Sequence, residues 1–186
     1  MTRQDIIEAL LGMLRPLGPM GAPAEREKEE AAWAARAAGD SSAIEALLDL
    51  ASDPATAEER GRVSEAALQA QLAHVLTLAG ACAPEAVLDR VGLLTKDERA
   101  RATAIEVIGA IGNPGGLRWL APLVDVRDLS DDEATWLASA LGDIGTPEAR
   151  TLLERLGAQT SPERASVVRE VQIALDGISR RAPPLR

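Results

Sequence analysis

One imidazole and one thiol, His74 and Cys82, are the only Cys–His pair the chain can form, and they lie eight residues apart. A cysteine activated by histidine needs the two side chains within hydrogen-bond reach, which this spacing allows only if the chain folds back between them. The expectation is therefore structural: Cys82 packs as a small buried residue beside Pro84, and His74 occupies an outer, wet helix face. The run Asp125, Asp128, Asp131, Asp132 and Glu133 could attract a hard cation. It lacks the alternating oxygen ligands and the turn glycine of a calcium loop. It reads instead as a polar loop entering a helix N-terminus, where negative charge is favoured. No residue is assigned to catalysis, to a cofactor or to a metal, and the chain is expected not to be an enzyme.

Recognition chemistry has more to draw on. The aromatic residues are three tryptophans, with no Phe or Tyr. Trp119 takes a position matched by Leu152 and is expected to pack inward. Trp136 aligns with Thr103 and Gln71, and Trp33 with Glu106, His74 and Ser139. A large ring where sister segments are polar is a candidate contact anchor, because Trp is enriched among interface hot spots. The structural alternative covers Trp33 with an N-terminal helix and Trp136 with an adjoining loop.

The elements that position these residues follow from composition and periodicity. The chain has 186 residues, 29 acidic against 20 basic, and is 46% hydrophobic with its apolar content in Leu, Ala, Ile and Val. That length fits one domain burying roughly 70% of its unfolded surface. One cysteine excludes an internal disulfide, and apolar runs stay shorter than the roughly 18 residues a spanning helix needs. The start, Met1-Thr2-Arg3-Gln4-Asp5, lacks a signal peptide's basic-then-apolar order, so a cytoplasmic location is expected. Acidic residues outnumber basic ones 12 to 6 over 1–60, balance them 6 to 6 over 61–120, and lead 11 to 8 over 121–186. Phosphate backbones are bound by Lys and Arg that displace counterions, so this balance argues against nucleic acid. Only the tail, with Arg180, Arg181 and Arg186, is basic.

The chain also repeats itself. Val107-Ile108-Gly109-Ala110-Ile111-Gly112-Asn113-Pro114 matches Ala140-Leu141-Gly142-Asp143-Ile144-Gly145-Thr146-Pro147, with looser copies ending at Gly80 and Gly39. The glycines Gly39, Gly80, Gly112 and Gly145 are spaced by 41, 32 and 33 residues. Each unit reads as a longer helix, a glycine that ends it in the left-handed conformation, a capping residue and a shorter helix. Ser130-Asp131-Asp132-Glu133 and Thr95-Lys96-Asp97-Glu98 fit the capping box, and Ser161-Pro162-Glu163 fits an N-cap with a first-turn proline. No strand pattern is present. The spacing predicts helices over 2–14, 25–38, 42–52, 61–79, 84–94, 96–111, 115–124, 131–144, 147–156 and 162–179.

The Leu/Ile-Gly-x-Ile-Gly-(Asn/Thr)-Pro turns resemble HEAT repeats, in particular the short bacterial HEAT-like repeats of the phycobilisome-lyase type, over about residues 25–178. Tetratricopeptide repeats want a Tyr that is absent, and the ankyrin turn is reduced to Thr146-Pro147. The resemblance implies an all-α, right-handed α-solenoid of about four helical hairpins, with shorter helices lining a concave face. Residues 1–24 would form a capping helix and a Pro/Gly-rich joint, the last helix would close the stack, and 179–186 would form a basic tail. Related activities fit poorly. HEAT-repeat iron hydroxylases need several His-Glu pairs, HEAT-like glycosylases need a basic groove, and bilin lyases need a pocket of which no sign is present.

The expected function is a non-enzymatic scaffold or adaptor that binds another protein. The candidate concave residues are Glu45, Asp49, Glu85, Asp89, Arg118, Thr151 and Arg155, with Trp136 and Trp33 as anchors. Charge of this sign calls for a partner with a basic patch. The alternative is an accessory subunit of a lyase or protein-modification complex. Self-association through Trp136 is also open, and no membrane or cofactor is implied.

Overall fold

Seven helices, joined by 3-10 turns, follow one another along the part of the chain described continuously in the computed structural model, residues 65–181. Before that, scattered positions between 5 and 48 are described, and all of them are helical. The helices are α1 (Glu65–Cys82), α2 (Pro84–Val91), α3 (Arg101–Ile111), α4 (Leu117–Leu120), α5 (Asp131–Ile144), α6 (Pro147–Gln159) and α7 (Ala165–Arg181). No strand occurs among the described residues. The expected helices at 2–14, 25–38 and 42–52 lie largely outside the described residues.

Glycine ends two of the long helices as the repeat requires. Gly112 closes α3 with φ 65° and Gly145 closes α5 with φ 67°, conformations a Cβ would strain. The next helix then starts on a side-chain cap. The Thr146 hydroxyl accepts from the Ala149 N–H at 3.1 Å with Pro147 in the first turn. Asn113 accepts from the Gly115 N–H at 2.8 Å. The capping box of α5 is complete: the Ser130 hydroxyl accepts from the Glu133 N–H, and the Glu133 carboxylate accepts from the Ser130 N–H.

Other boundaries differ from the sequence expectation. Gly80 does not end a helix: α1 continues to Cys82, and Gly80 lies buried in it where an added Cβ would overlap the Ile111 side chain. Gly39 is helical as well. Thr95 is not a cap, because it is buried and its hydroxyl donates to the Gly92 carbonyl at 2.7 Å within a 3-10 turn, Gly92–Lys96. The helix it was expected to open begins at Arg101 with no side-chain cap. The expected helix over 115–124 is a 3-10 turn, the single α-turn of α4 and a second 3-10 turn, Ala121–Asp125, with Pro122 in its first turn. α6 runs through Gly157 to Gln159. Ser161-Pro162-Glu163 forms a turn in which the Arg164 N–H donates to the Ser161 carbonyl, and α7 starts only at Ala165. At its far end α7 takes in Arg180 and Arg181, so the expected tail is helical to that point.

Packing follows a regular order. The long helices touch in the sequence α1, α3, α5, α7. The shorter elements touch in parallel with them: α2 against the turn at 114–116, α4 against 92–96, and α6 against 121–125. One aliphatic core runs between the two sets, with Leu76, Leu88, Ile105, Ile108 and Leu120 wholly buried. The long helices approach closely because glycine faces alanine. A Cβ on Gly109 would come within 2.6 Å of the Ala140 Cβ, and one on Gly142 within 2.8 Å of the Ala174 Cβ. Trp119 packs on the core, flat against Gly92, as its alignment with Leu152 predicts.

Candidate functional site

Successive units are tied by ion pairs whose members lie about one repeat apart. Arg118 bridges Glu85, at 3.3 Å, and Asp89. Arg155 reaches Asp125 at 3.2 Å and the Ala121 carbonyl at 3.4 Å. Arg164 holds Asp131 at 2.6 Å, and Arg101 holds Glu133 at 3.2 Å. The Arg118, Arg155 and Arg164 pairs are at the surface and contribute little stability, about 0–1 kcal/mol each, whereas the Arg101–Glu133 pair is largely buried. Their consequence here is that five carboxylates, Glu85, Asp89, Asp125, Asp131 and Glu133, are matched from within the chain. Glu133 serves twice, closing the α5 cap and anchoring Arg101 of the preceding unit.

The residues singled out from sequence therefore divide. Glu85, Asp89, Arg118, Thr151 and Arg155 are all exposed. Within that set Arg118 pairs with Glu85 and Asp89, Arg155 pairs with Asp125 outside it, and the Thr151 hydroxyl donates to the Pro147 carbonyl. Glu45, Asp49 and Trp33 fall outside the described residues. Cys82 is exposed rather than packed away. His74 is exposed as expected, with Nε2 3.1 Å from the Glu30 carboxylate. Both belong to α1, and eight residues of helix separate them by about 12 Å along the axis, so they form no dyad. The acidic run enters the N-terminus of α5 as expected, and no cluster of three or more metal-binding side chains occurs among the described residues.

Trp136 is 44% exposed. It lies one turn beyond Asp132 on the same face of α5, since residues four apart are neighbours on a helix surface. At the start of that face is a groove of about 430 Å³ between the beginnings of α3 and α5, floored by Ala102 and backed by the Arg101–Glu133 pair. Glu98, Asp128 and Asp132 also line it, and none of the three has an ion-pair partner among the described residues. Excess negative charge is thus gathered beside the exposed ring. Sequence reasoning pointed to Trp136 but not to this groove, because Glu98 and Asp132 belong to different units and meet only when α3 lies against α5.

Among the described residues, two carboxylates have raised pKa values. Burial pushes Glu106 on α3 upward. Burial also raises Asp143 on α5, partly offset by the Arg181 guanidinium. Between the ordinary glutamate pKa and the raised folded value, the native state keeps a proton that the unfolded chain has released, so stability falls as pH rises through that window. Glu106→Gln removes the cost. The variant is expected to be more stable than the parent at neutral pH and to lose that advantage near pH 4, at about the ordinary glutamate value. Urea unfolding at the two pH values measures this, and an advantage of equal size at both would contradict it.

Comparison of the chain with family models, with curated proteins and with solved structures gives no significant match. Among the described residues no helix is long and apolar enough to cross a membrane.

Proposed function

We propose that the chain is a non-enzymatic protein-binding module, a right-handed HEAT-like α-solenoid of about four hairpins that takes up a basic segment of another protein. The matched turns at Gly112 and Gly145 and the stacking order of the long helices support the architecture. The observation that carries the binding reading is Trp136, 44% exposed where sister units place Thr103 and Gln71. A lysine or arginine on the partner would lay its aliphatic stem and cation against the ring. Its neighbours would meet Glu98, Asp128 and Asp132 in the adjoining groove. The basic segment would then lie beside α5 rather than along Glu85 and Asp89, which already share the Arg118 guanidinium.

Charged rims act mainly on association rate and partner choice. With a partner recovered from native lysate and purified, association is expected to slow as salt rises from about 50 to 300 mM, because screening shortens the reach of the field. The double reversal Asp128→Lys with Asp132→Lys is expected to slow it roughly tenfold at low salt. An on-rate indifferent to both salt and reversal would overturn the proposal.

A further inference from the structure

Two of the long helices turn a glycine toward the helix that follows. Gly109 of α3 faces Ala140 of α5, and Gly142 of α5 faces Ala174 of α7, at distances that leave no room for a Cβ. The same motif occurs once more along α7, with two of its residues exchanged. Ala140-Leu141-Gly142-Asp143-Ile144-Gly145 becomes Ala174-Leu175-Asp176-Gly177-Ile178-Ser179. The position that would admit another helix is thereby an aspartate, and the glycine moves to the place of the exposed Asp143. Ser179 stands where Gly145 ends α5. Its hydroxyl donates to the Leu175 carbonyl at 2.9 Å, inside a helix that runs on to Arg181.

Burial changes in the same direction. Gly142 is buried in α5, and so are Ala138 and Ala134, one and two turns before it. Their counterparts on α7 are Asp176, Gln172 and Val168, all exposed, Val168 by 43%. Residues four apart share a helix face, so these three form one row. Asp176 lies two residues beyond Ala174, on nearly the opposite side of the helix, and the row therefore points away from α5. Gln172 Nε2 donates to Asp176 Oδ1 at 2.9 Å along it. A further helix laid on this row would meet a Cβ where the earlier contacts have none. It would also strip water from a carboxylate whose partner is a neutral amide, and an uncompensated charge is costly to bury.

We infer that Gln172 and Asp176 are a stop to helix stacking, which bars this face of α7 to the long helix of a second copy of the chain. Stacked helices whose end face stays apolar add copies of themselves, and a polar outer face prevents it. The pair interrupts a face that is otherwise apolar, with Val168 exposed and Leu175 half-buried beside it. The inference rests on the contact order of the long helices. It is independent of Trp136 and of the partner-binding reading.

Sedimentation of the full chain over a concentration series tests it. Gln172→Ala with Asp176→Gly is expected to self-associate at a concentration roughly tenfold or more below that of the parent. Gln172→Ala with Asp176→Ala keeps a Cβ at the approach position and favours the helix. It is expected to fall between the other two. Adding Val168→Asp to the glycine variant returns a charge to the same face and is expected to restore the parent's behaviour. Association no stronger than the parent's in the pair variants would overturn the stop, and the alanine variant carries that test if the glycine variant does not fold. Association that survives Val168→Asp would overturn it too, because the contact would then lie elsewhere. Equal association of the alanine and glycine variants would overturn the role given to the Cβ at position 176.

Discussion

Gly109→Val is expected to destabilise the protein by about 3 kcal/mol, the upper part of the usual cost of forcing extra carbons into a filled interface. The glycine is buried in α3, and its missing side chain is what lets α5 approach. An added Cβ would stand 2.6 Å from the Cβ and 2.7 Å from the Cα of Ala140, so the obstacle includes backbone and cannot be relieved by a rotamer change. The helices would have to move apart, and the Ile108 and Leu141 contacts beneath would loosen with them. Gly177 supplies the control. It too lies within a helix, α7, but a Cβ there would meet nothing nearer than the Arg181 guanidinium at 3.7 Å. Gly177→Ala is therefore expected to stabilise by up to about 1 kcal/mol through helix propensity alone. Denaturant unfolding of both variants reads the difference. Equal effects would mean that the α3–α5 contact does not depend on the glycine.

Trp136→Ala is expected to cost at least tenfold, and up to about a hundredfold, in affinity for the partner protein, the range of a central aromatic anchor. Stability should change by less than about 1 kcal/mol, because much of the ring is already in water. Trp119→Ala is expected to do the reverse to the fold, with a loss of about 3–5 kcal/mol for a ring set against the core. Isothermal titration and thermal unfolding of the two variants separate the roles. Unchanged affinity in Trp136→Ala would remove the ring as an anchor and leave the helical packing untouched.

What the sequence disclosed and what it hid divide along physical lines. Gly112 and Gly145 were legible because a left-handed residue after a helix has a local cause, and so were Thr146-Pro147 and the Ser130–Glu133 box. All of these depend on residues within one turn. Thr95 satisfied the same local pattern and still failed, because its hydroxyl is taken by the Gly92 carbonyl, inside a 3-10 turn that no periodicity announces. Gly80 matched Gly112 in spacing, yet α1 runs past it, since its smallness admits Ile111 rather than a turn. The contact glycines Gly109 and Gly142 were visible as part of a motif, while their role required knowing which helix comes beside them. The pairing of the surface charges was hidden for a similar reason. Arg118 and Arg155 were placed on that face with Glu85 and Asp89, but that each reaches back to carboxylates of the preceding unit could not be read from the chain order.

The linear order of the long helices is open to one direct distance. Spin labels at positions 74 and 173, on α1 and α7 in a Cys82→Ser background, probe helices that three successive side-by-side contacts keep apart. At 8–10 Å per contact, pulsed dipolar spectroscopy is expected to give a single distribution centred at about 25–30 Å, once the label arms are allowed for. A centre at about 10–15 Å, the spacing of helices folded back into one bundle, would contradict the stacked arrangement and the binding surface built on it.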